Sequence, residues 1–136
     1  MQQLTLNVTK LVQTAKERQL LFYPFIIHTL LCVLQTKTNK TVICEQPDGT
    51  LIKTNFHPDF FVFYKNYVND CFFNTAADLS DKEIVSFALS AQSLPNADFT
   101  LMNFEEKDSQ TFLSVVFNID VPADFEACCQ EAILSL

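Results

Sequence analysis

The run LLFYPFIIHTLLCVL, residues 20 to 34, constrains the chain more than any other stretch. It is 15 residues long, short of the roughly 20 that a membrane-spanning helix needs. Pro24 and His28 interrupt it, and no small-residue cleavage site follows it as in a secretory leader. The run predicts a core helix over roughly residues 24 to 36, with Pro24 near its start, where a missing N–H is tolerated. Apolar on most sides, such a helix has to be covered on most sides. The cover must come from the rest of the chain, which at 136 residues is expected to be one domain, residues 1–136. Apolar residues at 49% against 18% charged are enough to build that core.

Hydrophobic periodicity orders the remainder. Leu4, Leu6 and Val8 alternate as in a strand, and Val8, Leu11, Val12 and Ala15 then share one helix face, with Asn7 or Thr9 as its cap. VICEQ and TLIKT flank Pro47-Asp48-Gly49, which is hairpin chemistry. FFVFY, residues 60 to 64, is continuously apolar and predicts a central strand covered on both faces. Ser80 and Glu83 have capping-box spacing and predict a third helix carrying Ile84, Phe87, Ala88 and Ala91. DFTLMNF and TFLSVVFNI read as strands joined by a polar turn, EEKDSQ. Pro122 opens a last helix with Phe125, Cys128, Cys129, Ala132, Ile133 and Leu136 on one stripe. The expected order is β-α-α-β-β-β-α-β-β-α. It implies an α/β fold: a two-layer sandwich of one mixed sheet and about four helices.

Charge and composition exclude several functions. A formal charge of −7 makes direct nucleic-acid binding unexpected, since that affinity comes chiefly from Lys and Arg releasing counterions. Solubility accounts for the acidity; an acidic decoy filling a basic groove is the sharper reading. Against mimicry, the acids are spread out, at Asp78, Asp81 and Glu83, at Glu105, Glu106 and Asp108, and at Asp120, Asp124 and Glu126. Cys32, Cys44, Cys71, Cys128 and Cys129 form neither a zinc spacing nor a disulfide framework, so reduced thiols, no metal and a cytoplasmic location are expected. A single glycine, Gly49, rules out the usual glycine-rich phosphate cradles.

Candidate bases are few. His28 falls within the apolar helix and reads as a hydrogen-bonded core residue. His57 precedes Pro58 and reads either as orienting that turn or as a binding residue. No cysteine has a His or Lys within three positions, so the sequence offers no activated thiol. Asp120 and Asp124 sit where carboxylates gain from a helix dipole.

Three stretches carry a resemblance: QLTLNVTKLVQTAKERQLLFYPFIIHTLL, DGTLIKTNFHPDFFVFY and FFNTAADLSDKEIVSFALSA. With the F-Y-P and H-P pairs they make residues 2 to about 92 similar to the chloramphenicol acetyltransferase family. The resemblance implies that family's fold and trimers with active sites between subunits. It also implies a catalytic signature, H-H-x-x-x-D-G, between the last strand and the last helix. SVVFNIDVPADFEACC occupies that place here. Aligned on Phe125, Asn118 and Ile119 stand at the two histidines, Ala123 at the aspartate and Asp124 at the glycine. A one-residue shift puts Asp124 at the aspartate position, but no histidine lies beyond His57. The family's N-terminal arm would lie before Met1, and its serine segment followed by Pro-Trp has no counterpart in a chain without Trp.

A hydrocarbon side chain accepts no proton, and general-base catalysis contributes typically about 10²–10⁴-fold. The leading reading is therefore a non-catalytic, acetyltransferase-like binding protein, self-associating, with no cofactor and no membrane. It acts through protein–protein contacts, with His57, Phe72 and Phe73 as binding or interface candidates beside Phe60, Phe61 and Phe63. One alternative is an acidic inhibitor of phage or mobile-element origin that binds a basic partner. Another is an acyl-coenzyme A-dependent acyltransferase whose base is displaced to His57 or supplied by a partner subunit.

Overall fold

The computed structural model describes residues 2–34, 41–73, 84–89 and 97–136. In chain order the elements are β1 (Gln2–Asn7), α1 (Thr9–Glu17), α2 (Phe22–Val33), β2 (Thr41–Glu45) and β3 (Leu51–Asn55). They continue with α3 (Phe60–Phe73), β4 (Ile84–Ala88), β5 (Phe99–Lys107), β6 (Gln110–Phe117) and α4 (Phe125–Leu134). The six strands make one mixed sheet in the order β1-β6-β5-β4-β2-β3. β4 runs parallel to both β2 and β5, and the other pairs are antiparallel.

Local chemistry places most element ends. Asn7 Oδ1 accepts from the Thr9 N–H at 3.1 Å and the Thr9 hydroxyl at 2.7 Å, which shapes the turn into α1, although the cap position itself is Val8 rather than the expected Asn7 or Thr9. Gly49 adopts φ +88° in the β2–β3 turn, a conformation an L side chain rarely takes. Asp48 Oδ1 fastens the same turn by accepting from the Thr50 N–H and hydroxyl. Asp108 and Ser109 take φ 53° and 64°, the pair of left-handed residues that a two-residue hairpin requires. That tight turn leaves Glu105, Glu106 and Lys107 in β5 and Gln110 in β6, so the polar stretch is mostly strand.

Two expectations are overturned, and they exchange places. FFVFY is the first part of α3 rather than a central strand. A continuous apolar run does not distinguish strand from helix, and the deciding signal lies just before it. Asp59 follows Pro58 and its Oδ1 accepts from the Phe61 and Val62 N–H groups at 3.0 and 3.2 Å, as a helix N-cap does. Phe63 and Tyr67, four apart, are buried, whereas Phe61 and Val62 face solvent.

The second exchange concerns Ile84–Ala88, which forms β4 rather than the third helix. Val85 and Phe87 alternate toward the core, with Ser86 on the other face. The capping residues Ser80 and Glu83, and Ala91, lie outside the described residues.

The described helices all pack on one face of the sheet. That face presents Leu4 and Leu6, Leu113, Val115 and Phe117, Phe99 and Leu101, Phe87, and Val42 and Cys44 in one continuous core with the helices. At its centre Phe87 stacks on Phe99 at 5.0 Å, and Phe99, Phe117 and Phe125 meet at 6.0 to 6.3 Å. Pro24 through Leu31 of α2 are all buried. Among the described residues no helix is long and apolar enough to cross a membrane. All five thiols are free; Cys44 and Cys129 are buried.

Helix and strand make different predictions for FFVFY. In a strand Phe61 and Phe63 would share a face and respond alike to truncation. In α3, Phe63→Ala is expected to cost about 3–5 kcal/mol and Phe61→Ala within about 0.5 kcal/mol. Urea titration of the two variants measures both.

Candidate functional site

The stretch between β6 and α4 is held by backbone bonds. The Asn118 N–H donates to the Asp98 carbonyl at 3.0 Å, and the Phe125 N–H to that of Pro122 at 3.0 Å. Phe125 is buried among the core aromatics and anchors α4. Ile119 is half-buried against the core, while Asn118, Ala123 and Asp124 face solvent. Asp124 precedes α4 without capping it; its Oδ2 instead accepts from the Cys128 thiol at 3.3 Å.

A cleft of about 560 Å³ opens here between the start of β1 and the start of α4, lined by Gln2, Leu4, Phe117, Val121, Ala123 and Glu126 among others. An adjoining recess of about 380 Å³ is bounded by Gln2, Phe117, Asn118, Ile119 and Asp120. Three of the four positions of interest, Asn118, Ile119 and Ala123, therefore line one concave surface. Among the described residues its ionisable side chains are Glu126 and Asp120, with no imidazole, thiol or cationic side chain in the lining.

Both histidines are elsewhere. His28 Nε2 lies 3.0 and 3.1 Å from the carbonyl oxygens of His57 and Pro58, so Nε2 carries the proton and donates to them. Phe56, Phe60 and Phe63 surround its ring at 5.3 to 5.5 Å. Burial holds its pKa below the ordinary 6.5, against opposing contributions from the two carbonyls and Asp59. His57 Nδ1 accepts from the Asp59 N–H at 2.9 Å and so shapes the His-Pro-Asp turn that starts α3. His28 shares a pocket with Ala132, in the last turn of α4, and Leu136 just beyond it, at the end of the helix opposite Asp124. Ten helical residues span about 15 Å, so that imidazole does not reach the β6–α4 cleft.

One neighbour of His28 escaped the three-position search. Cys32 is four residues on, one helical turn, and its Sγ lies 3.6 Å from Nδ1 and 3.7 Å from Nε2. Near-equal distances put the sulfur beside the ring rather than along the Nδ1 lone pair. Burial raises the thiol pKa as it lowers that of the imidazole, so both groups are neutral at neutral pH. The signal that could have found the pair was the helical period itself.

His57 and the two interface phenylalanines are not brought together. His57 precedes α3, whereas Phe72 and Phe73 end it, and fourteen helical residues span about 20 Å. The side chains of Phe72 and Phe73 lie outside the described residues. Among the described residues no group of three or more His, Cys, Asp or Glu is placed to hold a metal ion.

No protein-family model matches the sequence, and no curated protein matches it. Among solved structures the fold is similar to that of a chloramphenicol acetyltransferase, with a TM-score of 0.67 at 10% sequence identity. The match covers 98% of this chain and 87% of that one. At this identity the likeness establishes a chloramphenicol acetyltransferase-like fold and nothing of the chemistry.

The environment of His28 has a pH signature. Its folded pKa lies below the unfolded value near 6.5, so the folded chain binds fewer protons. The stability tied to neutral His28 is full above that unfolded value and is lost as pH falls through the folded one. Urea midpoints measured from pH 7 to 5 should fall more steeply for the wild type than for His28→Gln, whose amide can still donate to the two carbonyls. Equal slopes would show that burial of His28 is not linked to proton binding.

Proposed function

We propose that this chain is a non-catalytic protein with a chloramphenicol acetyltransferase-like fold, acting through protein–protein contact and first of all through self-association. The observation that carries the reading is the lining of the β6–α4 cleft: Ile119, Ala123 and Asn118 stand where the resemblance expects the histidine pair and the aspartate. Among the described residues the ionisable groups of the cleft are the solvent-exposed carboxylates Asp120 and Glu126, and no imidazole stands in for the histidine that the resemblance expects.

The sheet supplies a surface for self-association. No described helix covers the face opposite the helices. Across its β1–β6–β5 part run Gln3, Val116 and Thr100 in one row, and Thr5 and Ser114 in the next, while Ala88, beside Thr100, is buried with Ile43 and Ala97. Asn7 and Phe112 follow, with Glu105 at the edge. Phe112, Ser114, Val116 and Thr100 are half-buried, and none of these residues but Glu105 is charged. Charged groups of this face, Lys53, Glu105 and Lys107, lie away from the Gln3–Val116–Thr100 row, and for a molecule of net charge −7 that neutral row is where two copies meet with least repulsion. A trimer is the assembly that the resemblance implies.

Light scattering on the eluting protein is expected to give a multiple of 15.5 kDa, and Val116→Lys to return it to the monomer with the fold intact. A monomer at all micromolar concentrations would remove self-association. Acetyl-coenzyme A with a hydroxyl acceptor should give no turnover above background; turnover abolished by His57→Ala would replace the binding reading with a displaced-base enzyme.

A further inference from the structure

β1 is one end of the sheet, so only one of its edges is paired with a strand. Two observations fix which backbone groups face the other edge. The Val8 N–H, next after β1, donates to the Thr111 carbonyl on the β6 side. Asn7 points the opposite way: its N–H donates to Gln130 Oε1 at 2.8 Å, and its carbonyl accepts from Gln130 Nε2 at 3.0 Å. Backbone groups alternate in direction along a strand, so the N–H and C=O of Thr5 and Gln3 face outward with those of Asn7. Among the described residues no group bonds to these four, and Gln3 and Thr5 are exposed. The Gln130 amide thus takes the place of an adjoining strand at Asn7 and leaves that place open at Thr5 and Gln3.

The open edge forms one wall of the β6–α4 cleft, whose lining includes Gln2, Gln3 and Leu4. Another wall is the start of α4. Glu126 stands one helical turn before Gln130, on the same side of the helix, and is a solvent-exposed part of the lining. Asp120 lines the adjoining recess beside Gln2. β1 itself carries no charge and no proline and pairs in unbroken register, so it lacks the features by which an edge strand repels another. Two copies joined edge to edge about a two-fold axis would set each Glu126 against its counterpart. A cationic strand meets no such repulsion there.

We infer that this edge takes up an extended cationic peptide, which adds a strand antiparallel to β1 and exchanges backbone hydrogen bonds with Gln3 and Thr5. Peptide residues opposite Gln3 and Thr5 make the bonds and share their face of the sheet. The residues between them point toward the helices, where Lys or Arg meets Glu126 and Asp120. Backbone bonds supply the affinity, and the acids select the sequence. A cleft of about 560 Å³ holds a few such side chains. The inference rests on the reading of the chain as a non-catalytic binding protein and names the partner of its cleft; it does not need self-association through the sheet face.

The test is fluorescence anisotropy of a fluorescein-tagged Lys-Val-Lys-Val-Lys peptide, its Glu-Val-Glu-Val-Glu counterpart and two N-methylated forms. The Lys peptide should bind at micromolar concentration and the Glu peptide should not. N-methylation of the Val residues, which make the bonds, should weaken binding at least about tenfold; N-methylation of the Lys residues should leave it within about twofold. Gln3→Pro removes an outward N–H without breaking a bond to β6 and should weaken the Lys peptide about threefold to tenfold. Glu126→Gln should weaken it about twofold to fivefold. The inference is overturned if the Lys peptide fails to bind at millimolar concentration or if the Glu peptide binds equally. Equal binding of the two N-methylated forms overturns it too, since that is charge attraction without strand pairing. So does a fall in the mass seen by light scattering when peptide is added, since the edge would then belong to a second copy. A monomer that binds the peptide removes self-association and leaves this inference standing.

Discussion

A helix without a polar face can exist in water only when something covers every side of it, and α2 is such a helix. From Pro24 to Leu31 it has no exposed residue. The sheet covers one side, and α1, α3 and α4 all pack against the others. The remaining elements can be understood as its cover. β1 and β6 widen the sheet beneath α1 and α4, and α3 closes the side where His28 emerges. Even the polar atoms of α2 are satisfied locally: Thr29 donates back to the Phe25 carbonyl at 3.0 Å, and His28 donates to the chain that leads into α3. Burying these groups unbonded would cost more than the helix gains from its apolar neighbours.

How much of this the sequence discloses depends on whether a segment's pattern has one solution. β1, β2, β3, β5, β6, α1, α2 and α4 are legible because their periods or turn residues admit one element each. FFVFY and IVSFA are not. An aromatic run is compatible with a buried strand or a helix, and a short, mostly apolar segment such as IVSFA suits a short central strand as well as a helix face. The information that separates them is not periodic. It lies in Asp59, which caps, and in the sheet, which needs a strand between β2 and β5 that can run parallel to both. That second requirement is tertiary, so no local reading reaches it. The class and number of elements survive the exchange because one strand and one helix trade places.

The candidate site divides in the same way. That the β6–α4 stretch holds no imidazole is legible, since no histidine follows His57 in the chain. That Asn118, Ile119 and Ala123 share a concave surface is not, because it depends on β1 lying beside β6. The histidines show the reverse case. A residue type that could do chemistry is used to join elements: His28 ties α2 to the turn before α3, and His57 forms that turn with the N–H of Asp59. A ring nitrogen committed to a backbone partner, in a neutral ring held neutral by burial, is a structural link rather than a poised base.

Charge distribution then separates the surfaces that can meet other molecules from those that keep the protein apart. Glu105, Glu106 and Asp108 project from the β5–β6 hairpin, and Asp120, Asp124 and Glu126 gather at the start of α4; all six are solvent-exposed. Against copies of itself this chain is repulsive wherever such groups dominate. One region escapes them: the part of the sheet face around Val116 and Thr100, where neutral, half-buried side chains of β6 and β5 sit beside Gln3 and Thr5 of β1. The acidic groups therefore leave one side of the sandwich, the one opposite the helices, as the surface on which like-charge repulsion is weakest.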